Sequence, residues 1–465
     1  MAEPQKSDII STRILLLLAL VAVLVSSAGI FFWPKSKNFI PVALTLPDGS
    51  TVSLVGVTYG TNHVCGGPLA QLVAKTPPSM QGLLTRLLGS RVVGRQTMTT
   101  PTPALVIWVD SPPAQKIPTL SAAGWFEAYL GDTNGFVSGS AQYYNPSFGL
   151  SYLQFEAFPR RDKNFAVHLY YHDPKAKVKD CATLGILNPL YRSYPQWQPE
   201  TLPATRRVGD VEATLHQFST GHGIGMSQVS GRDGGYAIEF GTNRDGGQNE
   251  NACRLDLRPL ADTNQVWQVD HVELSDATGN VIQSSGMSWT GAGNGVFGFN
   301  PGLWTNEAAW KLRCEIKRTR GFAPSEMLSF KNVPLAEMNK TNQLGWTSNF
   351  NGVSVTLDYF VRRPPLTNNS WSSAILSDAH FHMTGFSNDL HFDLIELQAD
   401  NGTNVECCSW SSGVDTQDRE FKNVPADAKT LDFTFAVQKG RWVEFLVKPE
   451  TGPARFEFPG PRLKK

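Results

Sequence analysis

The chain has 465 residues, with 41 basic and 41 acidic side chains and a formal net charge of zero. That balance argues against nucleic acid or an anionic surface as the main partner, since either favours a basic excess. Only 18% of residues are charged, and Gly (41), Pro (30) and Trp (12) are plentiful, which suits many turns and short strands. The length exceeds one typical core and predicts about three domains.

Residues 1–37 carry the first element. Ile14 to Trp33 holds no charge and is nearly all apolar, enough for one bilayer span at about 20 residues. Lys6 and Arg13 precede it, and Lys35 and Lys37 follow. A cleaved signal peptide is the competing reading, with Ile14–Val25 as its apolar region and Ser26-Ser27-Ala28 as the small-residue site. The uncharged run continues through Ile30, Phe31, Phe32 and Trp33, which favours an uncleaved anchor over that and over a buried core helix. Either main reading places the rest of the chain outside the cytoplasm. A single-pass membrane protein is expected, with a secreted or periplasmic protein as the alternative.

Val42 to Tyr59 reads as a hairpin turning at Asp48-Gly49-Ser50. Pro77 to Leu88 reads as a short amphipathic helix whose apolar side is Leu83, Leu84, Leu87 and Leu88. Strand patterns return at Ala104–Val109 and Trp125–Leu130, then at Phe165, Val167, Leu169 and Tyr171. The last set recurs as Trp310, Leu312, Cys314, Ile316 and as Leu431, Phe433, Phe435, Val437. Each alternates with mostly polar residues, the period of a strand with one face in a core.

Three related modules follow from that repeat. Val272-Glu273-Leu274 maps on Ile395-Glu396-Leu397, Trp289 on Trp410 and Trp310 on Leu431, at shifts of 121–123 residues. Phe330–Pro334 recurs letter for letter at Phe421–Pro425, at a shift of 91 that breaks the others, and is read as coincidence. The predicted organisation is an anchor or signal (1–37), module one with its short helix (38–187), and a Pro-rich linker (188–210) packed along a neighbour. Module two (211–336), a linker (337–352), module three (353–448) and an irregular tail (449–465) complete it. The fold class is all-β: an N-terminal transmembrane helix, then tandem antiparallel β-sandwiches of immunoglobulin-like or jelly-roll type.

Chemistry is sparser. His380 and His382 lie two apart, so on a strand they share a face; with His391 they form the metal candidate, with Asp378, Asp389 and Asp393 nearby. A solvent-facing strand pair rich in His and Asp is the plainer reading. Cys253 and Cys314, with Trp267 between them, suit an inter-sheet disulfide with a buried Trp, or two reduced core thiols; Leu312 stands where a tyrosine corner would put Tyr. Cys65–Cys181 is a looser pair. Cys407 and Cys408 are adjacent, so one points outward. The Asp-Gly-Gly tracts at 233–235 and 245–247 read as β-turns rather than calcium or phosphate loops. Gly225-Met226-Ser227-Gln228-Val229 lacks the last glycine of a nucleophile elbow. The aromatics Trp125, Tyr143, Tyr144, Tyr152, Trp197, Trp289, Trp304, Trp371 and Trp410 read as packing, or as a sugar platform. No cofactor is implied.

Three further phrases carry a resemblance: Leu46–Ser50 with Gly56–Gly60, Phe155–Arg161, and Pro195–Glu200 with Leu202–Arg206. In these the chain resembles uncharacterised membrane-anchored envelope proteins of planctomycete- and verrucomicrobium-like bacteria. The resemblance implies an N-terminal anchor and tandem immunoglobulin-like modules, and no catalytic residue. The first functional reading is a membrane-anchored, extracytoplasmic, non-catalytic structural or protein-binding protein. A carbohydrate-binding envelope protein and a metal-dependent or hydrolytic enzyme are the alternatives. The expected partners are the membrane, through residues 14–33, and a protein or glycan.

Overall fold

Alternating apolar residues become antiparallel strands through nearly all of the described chain. The computed structural model describes residues 43–45, 51–66, 73, 75–88, 95–110, 125–132, 137–138, 142–144, 151–172, 178–222, 227–230, 236–240, 249–283, 288–291, 294–299, 303–350, 352–363, 377–385, 387, 390–413, 415–422, 424–448, 450–451 and 454–458. The expected membrane segment, residues 14–33, lies outside them. Among the described residues no helix is long and apolar enough to cross a membrane.

Most strands form three units, each with a larger and a smaller sheet; the larger is a path of five strands, to which a sixth short strand is added in unit two, and a separate three-stranded sheet runs Ser227–Ser230, Tyr236–Phe240, Ala454–Phe458. In the first unit the larger sheet runs Ala43–Thr45, Thr51–Gly66, Arg95–Asp110, Ser151–Phe155, Gln142–Tyr144. Its partner runs Val137–Ser138, Trp125–Gly131, Asn164–His172, Val178–Leu187. The second unit repeats this order with Ala204–Val208, Val211–His222, Asn249–Pro259, Asn294–Phe299, Ser288–Gly291, and then Val281–Gln283, Val266–Asp276, Trp310–Arg320, Arg441–Val447. The third has Thr341–Phe350, Val353–Arg362, Ser377–Thr384, Thr416–Lys422, Glu406–Ser412, and then Leu390–Ala399, Thr430–Lys439, Met327–Pro334.

The repeated strand occupies the same place in all three. Val167, Leu312 and Phe433 stand opposite Leu130, Leu274 and Leu397 on one neighbour. On the other neighbour they stand opposite Leu184, Phe445 and Phe330. The pair Val272↔Cys314 has its counterpart in Leu394↔Phe435. The first members of these pairs are 122 residues apart, whereas Leu274 and Leu397 are 123 apart. A β-bulge between Leu394 and Glu396 supplies the extra residue, as a bulge must when it places two residues against one.

The final strand of each smaller sheet breaks the tandem pattern. In unit one it follows its partner directly, as Asn164–His172 then Val178–Leu187. In units two and three the equivalents are exchanged. Met327–Pro334 follows the repeated strand of unit two but pairs with that of unit three. Arg441–Val447 follows the repeated strand of unit three but pairs with that of unit two. Gly440 alone separates Thr430–Lys439 from Arg441–Val447. A Cβ there would lie 1.8 Å from Glu315 Oε1, so the crossing admits only glycine without a shift.

This wiring redraws several expected boundaries. The 337–352 segment, expected as a linker, contains the edge strand Thr341–Phe350, paired with Val353–Arg362. Its alternation is weak because much of it is exposed. The 449–465 segment, expected as an irregular tail, contains Glu450–Thr451, parallel to Val211–His222, and Ala454–Phe458, paired with Tyr236–Phe240. Residues 441–447, expected within module three, close the sheet of unit two. The 188–210 segment, expected as a Pro-rich linker, ends in the edge strand Ala204–Val208, paired with Val211–His222; before that strand it packs along its neighbour as expected, with Tyr194 buried and Glu200 exchanging backbone and side-chain hydrogen bonds with Leu446.

Units one and two share one hydrophobic cluster that includes Phe158, Phe165, Leu215, Trp267, Trp310 and Phe445, while unit three keeps its own around Phe381, Phe421, Phe433 and Phe435. A buried polar network crosses the first junction. Asn280 Nδ2 donates to Phe158 O at 2.9 Å and to Asp276 Oδ2 at 2.8 Å, and Phe158 N donates to Asn280 Oδ1 at 3.2 Å. Arg160 Nη1 donates to Thr278 O, and Arg161 binds both Glu307 oxygens at 2.5 and 2.8 Å. Asn280 and Arg161 thus meet the demand that burial makes of polar groups, whereas Arg160 Nε is buried there without a hydrogen-bond partner.

Candidate functional site at the seam between units two and three

The strand Trp310–Arg320 sorts its side chains by parity. Leu312, Cys314 and Ile316 enter the core of unit two. Lys311, Arg313, Glu315 and Lys317 take the other face, as the two-residue period requires. Across the seam, Leu390–Ala399 buries Phe392 and turns His391 and Asp393 the opposite way. Those two outward faces meet.

His391 is the centre of the contact. Its Nε2 lies 2.9 Å from Glu315 Oε1, and its Nδ1 lies 3.5 Å from Asp270 Oδ2. Lys317 Nζ reaches Asp270 Oδ1 at 2.6 Å and Asp393 Oδ1 at 2.9 Å. Glu315 is only 9% exposed and Lys317 11%, whereas Asp270 and Asp393 are 29% and 30% exposed, so solvent screens the Lys317 pairs in part. Burial opposes the Lys317 charge, yet Asp393 and Asp270 outweigh it and raise the ammonium above its ordinary value. Gln438 adds a strand-like contact, accepting from Arg318 N at 3.1 Å and donating to Arg318 O at 2.6 Å.

A cleft of about 400 Å³ opens beside this contact, lined by Trp267, Arg318, Glu326, Leu390, Gln438 and Arg441 among others. Trp267 holds two guanidinium groups, with Arg441 4.5 Å and Arg318 5.7 Å from its ring centroid. Arg441 is fixed by Asp210, and Arg318 by Glu326.

Asp270, Glu315 and His391 place one ligand atom each within 4.8 Å of one another, the group of metal-ligand type among the described residues. Two carboxylates and an imidazole suit a divalent cation. However, the Lys317 ammonium already neutralises Asp270. The His391 ring stands between Glu315 and Asp270, and Lys317 bridges Asp270 and Asp393. The arrangement therefore works as an ion-pair clasp between units.

The sequence-predicted trio does not assemble. His380 and His382 share the outer face of Ser377–Thr384, as their spacing predicts. His380 stacks on Tyr359 at 5.0 Å and meets Asp418 at 2.6 Å, whereas His382 faces Asp415 at 3.8 Å. His391 lies in the other sheet and takes its partners from unit two. Asp378 pairs with Arg363, and Asp389 lies outside the described residues. Glu315, Lys317 and Asp270 were missed. Their signal was the outward parity of the repeated strand and its neighbour, which names a face but not what meets it.

Cys253 and Cys314 are buried in one cluster with Trp267, as expected, and both are thiols joined by no disulfide. Burial pushes the Cys253 thiol up to about 12 and Cys314 well above its ordinary value. Cys65 is also a thiol, packed on Val106 and Trp108 and pushed up by burial to about 11. The side chain of Cys181 lies outside the description. Cys408 is exposed and Cys407 half-buried, in line with one of them facing out. Among the expected aromatic residues, Trp304 is core, Trp197 is half-buried under Lys311, and Tyr152 packs on Trp108. The side chains of Trp125, Tyr143, Tyr144, Trp289, Trp371 and Trp410 lie outside the described residues. Compared with known proteins, the chain matches no family model and no curated relative.

Proposed function

We propose that this chain is a membrane-anchored, extracytoplasmic, non-catalytic structural or protein-binding protein of the cell envelope, built of three immunoglobulin-like sandwiches. The reciprocal strand exchange between units two and three carries this reading. Two chain crossings, the His391 clasp and the Asn280 network make successive units hold fixed positions, which serves a load-bearing or presenting protein. The strand order supports the immunoglobulin-like assignment. Numbering the strands of unit one without the short Val137–Ser138, the second to eighth strands pair as 2-3-6-5 and 4-7-8. That is the two-sheet order of the constant-type domain, with one extra edge strand. Cys253 and Cys314 stand on strands three and seven of unit two, and Trp267 on strand four.

The anchor rests on the apolar run Ile14–Trp33. Fractionation tests it: the full chain stays with membranes through alkaline carbonate, and external protease degrades everything beyond residue 43. Release by carbonate, with a mature N-terminus near Ala28, would select the secreted form instead. Pull-down and glycan-array binding with the solubilised chain then separate a protein partner from a carbohydrate one.

A further inference from the structure

The first unit carries an apolar surface that its own core does not use. The helix Pro78–Leu88 has Met80, Leu83, Leu84 and Leu87 at the i, i+3, i+4, i+7 spacing of one stripe. Met80, Leu83 and Leu87 are 49%, 52% and 60% exposed. Arg86 lies on the helix as well, and the first turn holds no acidic residue.

The strand before the helix doubles back on itself. Thr51–Gly66 folds over at Gly60, which has φ of 135°, and its ladder skips between Gly60 and Asn62. Thr58 Oγ1 and His63 Nδ1 then lie 2.9 Å apart. A Cβ on Gly56 would lie 3.9 Å from Cys65 Sγ. Residues 63–65 therefore return beside Gly56–Thr58 in the first half of the strand. The exposed side chains Val55 and Val64 are on the outgoing and returning arms respectively. Ala43 lies ten residue steps after Trp33, a reach of at most about 35 Å.

Charge points to one occupant. The chain as a whole is neutral, but Thr51 to Val109 contains four basic residues, Lys75, Arg86, Arg91 and Arg95, and no acidic one. An apolar helical stripe within a basic, acid-free stretch, in the unit that a short tether joins to an apolar 20-residue segment, fits an anionic lipid surface. We propose that the helix Pro78–Leu88 lies in the membrane interface and seats unit one on anionic lipid, with Met80, Leu83 and Leu87 among the acyl chains. The proposal deepens the anchored reading and rests on it for the nearness of the bilayer.

The test uses the full chain reconstituted into vesicles of phosphatidylcholine alone or with phosphatidylglycerol. Photoreactive benzoylphenylalanine replaces Leu83, Leu87 or, as a control just beyond the last strand of unit one, the exposed Tyr191. Leu83 and Leu87 should form lipid adducts at least about tenfold above Tyr191, and more in the anionic vesicles. The double variant Leu83→Glu/Leu87→Glu, carrying the probe at Met80, should lose those adducts while its thermal melt is unchanged, because both positions face solvent. Adducts no higher than at Tyr191, or adducts only to protein, overturn the proposal. Carbonate extraction of the same membranes reports on the anchor separately. Retention without adducts leaves the anchor and removes the helix contact; adducts on a carbonate-released chain do the reverse.

Discussion

Phe445 and Phe330 offer a crossed test of the strand exchange. Phe445 is 1% exposed and packs in the core of unit two, although it follows all of unit three in sequence. Phe330 is 4% exposed and packs in unit three, although it directly follows the repeated strand of unit two. Each stands opposite the equivalent core residue, Leu312 or Phe433. Truncating a buried Phe to Ala costs about 3–5 kcal/mol, from lost burial and an unfilled cavity. At 1.36 kcal/mol per factor of ten, that raises the local opening constant by about 10²–10³ or more. Hydrogen exchange read by mass spectrometry resolves which unit loosens. Phe445→Ala should accelerate exchange in Asn249–Pro259 and Val266–Asp276, and leave Ser377–Thr384 and Thr416–Lys422 protected. Phe330→Ala should do the opposite. If Phe445→Ala loosens unit three and spares unit two, the exchange is wrong and the last strand belongs with its sequence neighbour.

Asn280→Ala strands the Phe158 N–H and C=O at a buried junction, at about 1–3 kcal/mol for each unsatisfied group; a lower melting temperature with faster exchange at residues 156–163 is expected. Lys317→Met leaves Asp270 and Asp393 without their ammonium. A buried pair so broken costs about 3–5 kcal/mol, reduced here to about 1–3 because both carboxylates are partly solvated, and a melting-temperature loss of several degrees measures it. The folded value of Lys317 lies above the ordinary 10.5, so its contribution is complete below about pH 10.5 and is lost as pH rises through the folded value; the variant should show a shallower alkaline decline. Maleimide labelling of the native chain at pH 8 should modify Cys408 and spare Cys253 and Cys314 until denaturant is added, since burial holds Cys253 near 12. Labelling of Cys314 at the rate of Cys408 would place it outside the core.

The scaffold was largely legible in the residues. Period-2 alternation located the repeated strand, and shifts of 121–123 aligned units two and three, including the odd residue that the bulge at Leu394/Glu396 absorbs. What alternation does not encode is the partner. Phe330 and Phe445 are equally apolar and would fill either core, so the pattern was silent about which sheet each joins. Thr341–Phe350 escaped for a related reason: an edge strand with exposed residues on both faces has a weak period. The site failed in the same way. His380 and His382 were rightly put on one face, but grouping His391 with them assumed that nearness in sequence meant nearness in space. The actual partners, Glu315 and Asp270, lie in unit two.

The exchange also bears on how the seam keeps its geometry. Two domains joined by a single linker move relative to each other unless a large apolar interface holds them. Here the junction is crossed twice by the chain, and each crossing ends in a strand buried in the opposite unit. Swinging unit three away would require extracting Phe445 from one core or Phe330 from the other, each worth several kcal/mol. The polar contacts at the seam need not supply that strength. Glu315 against Gly440, His391 between two carboxylates, and Gln438 against the Arg318 backbone instead fix register and angle, because each tolerates only one arrangement of the facing strands. Cohesion thus comes from the exchanged apolar strands, and orientation from the buried charges. A variant that disrupts the clasp alone should therefore loosen the angle between units two and three before it separates them.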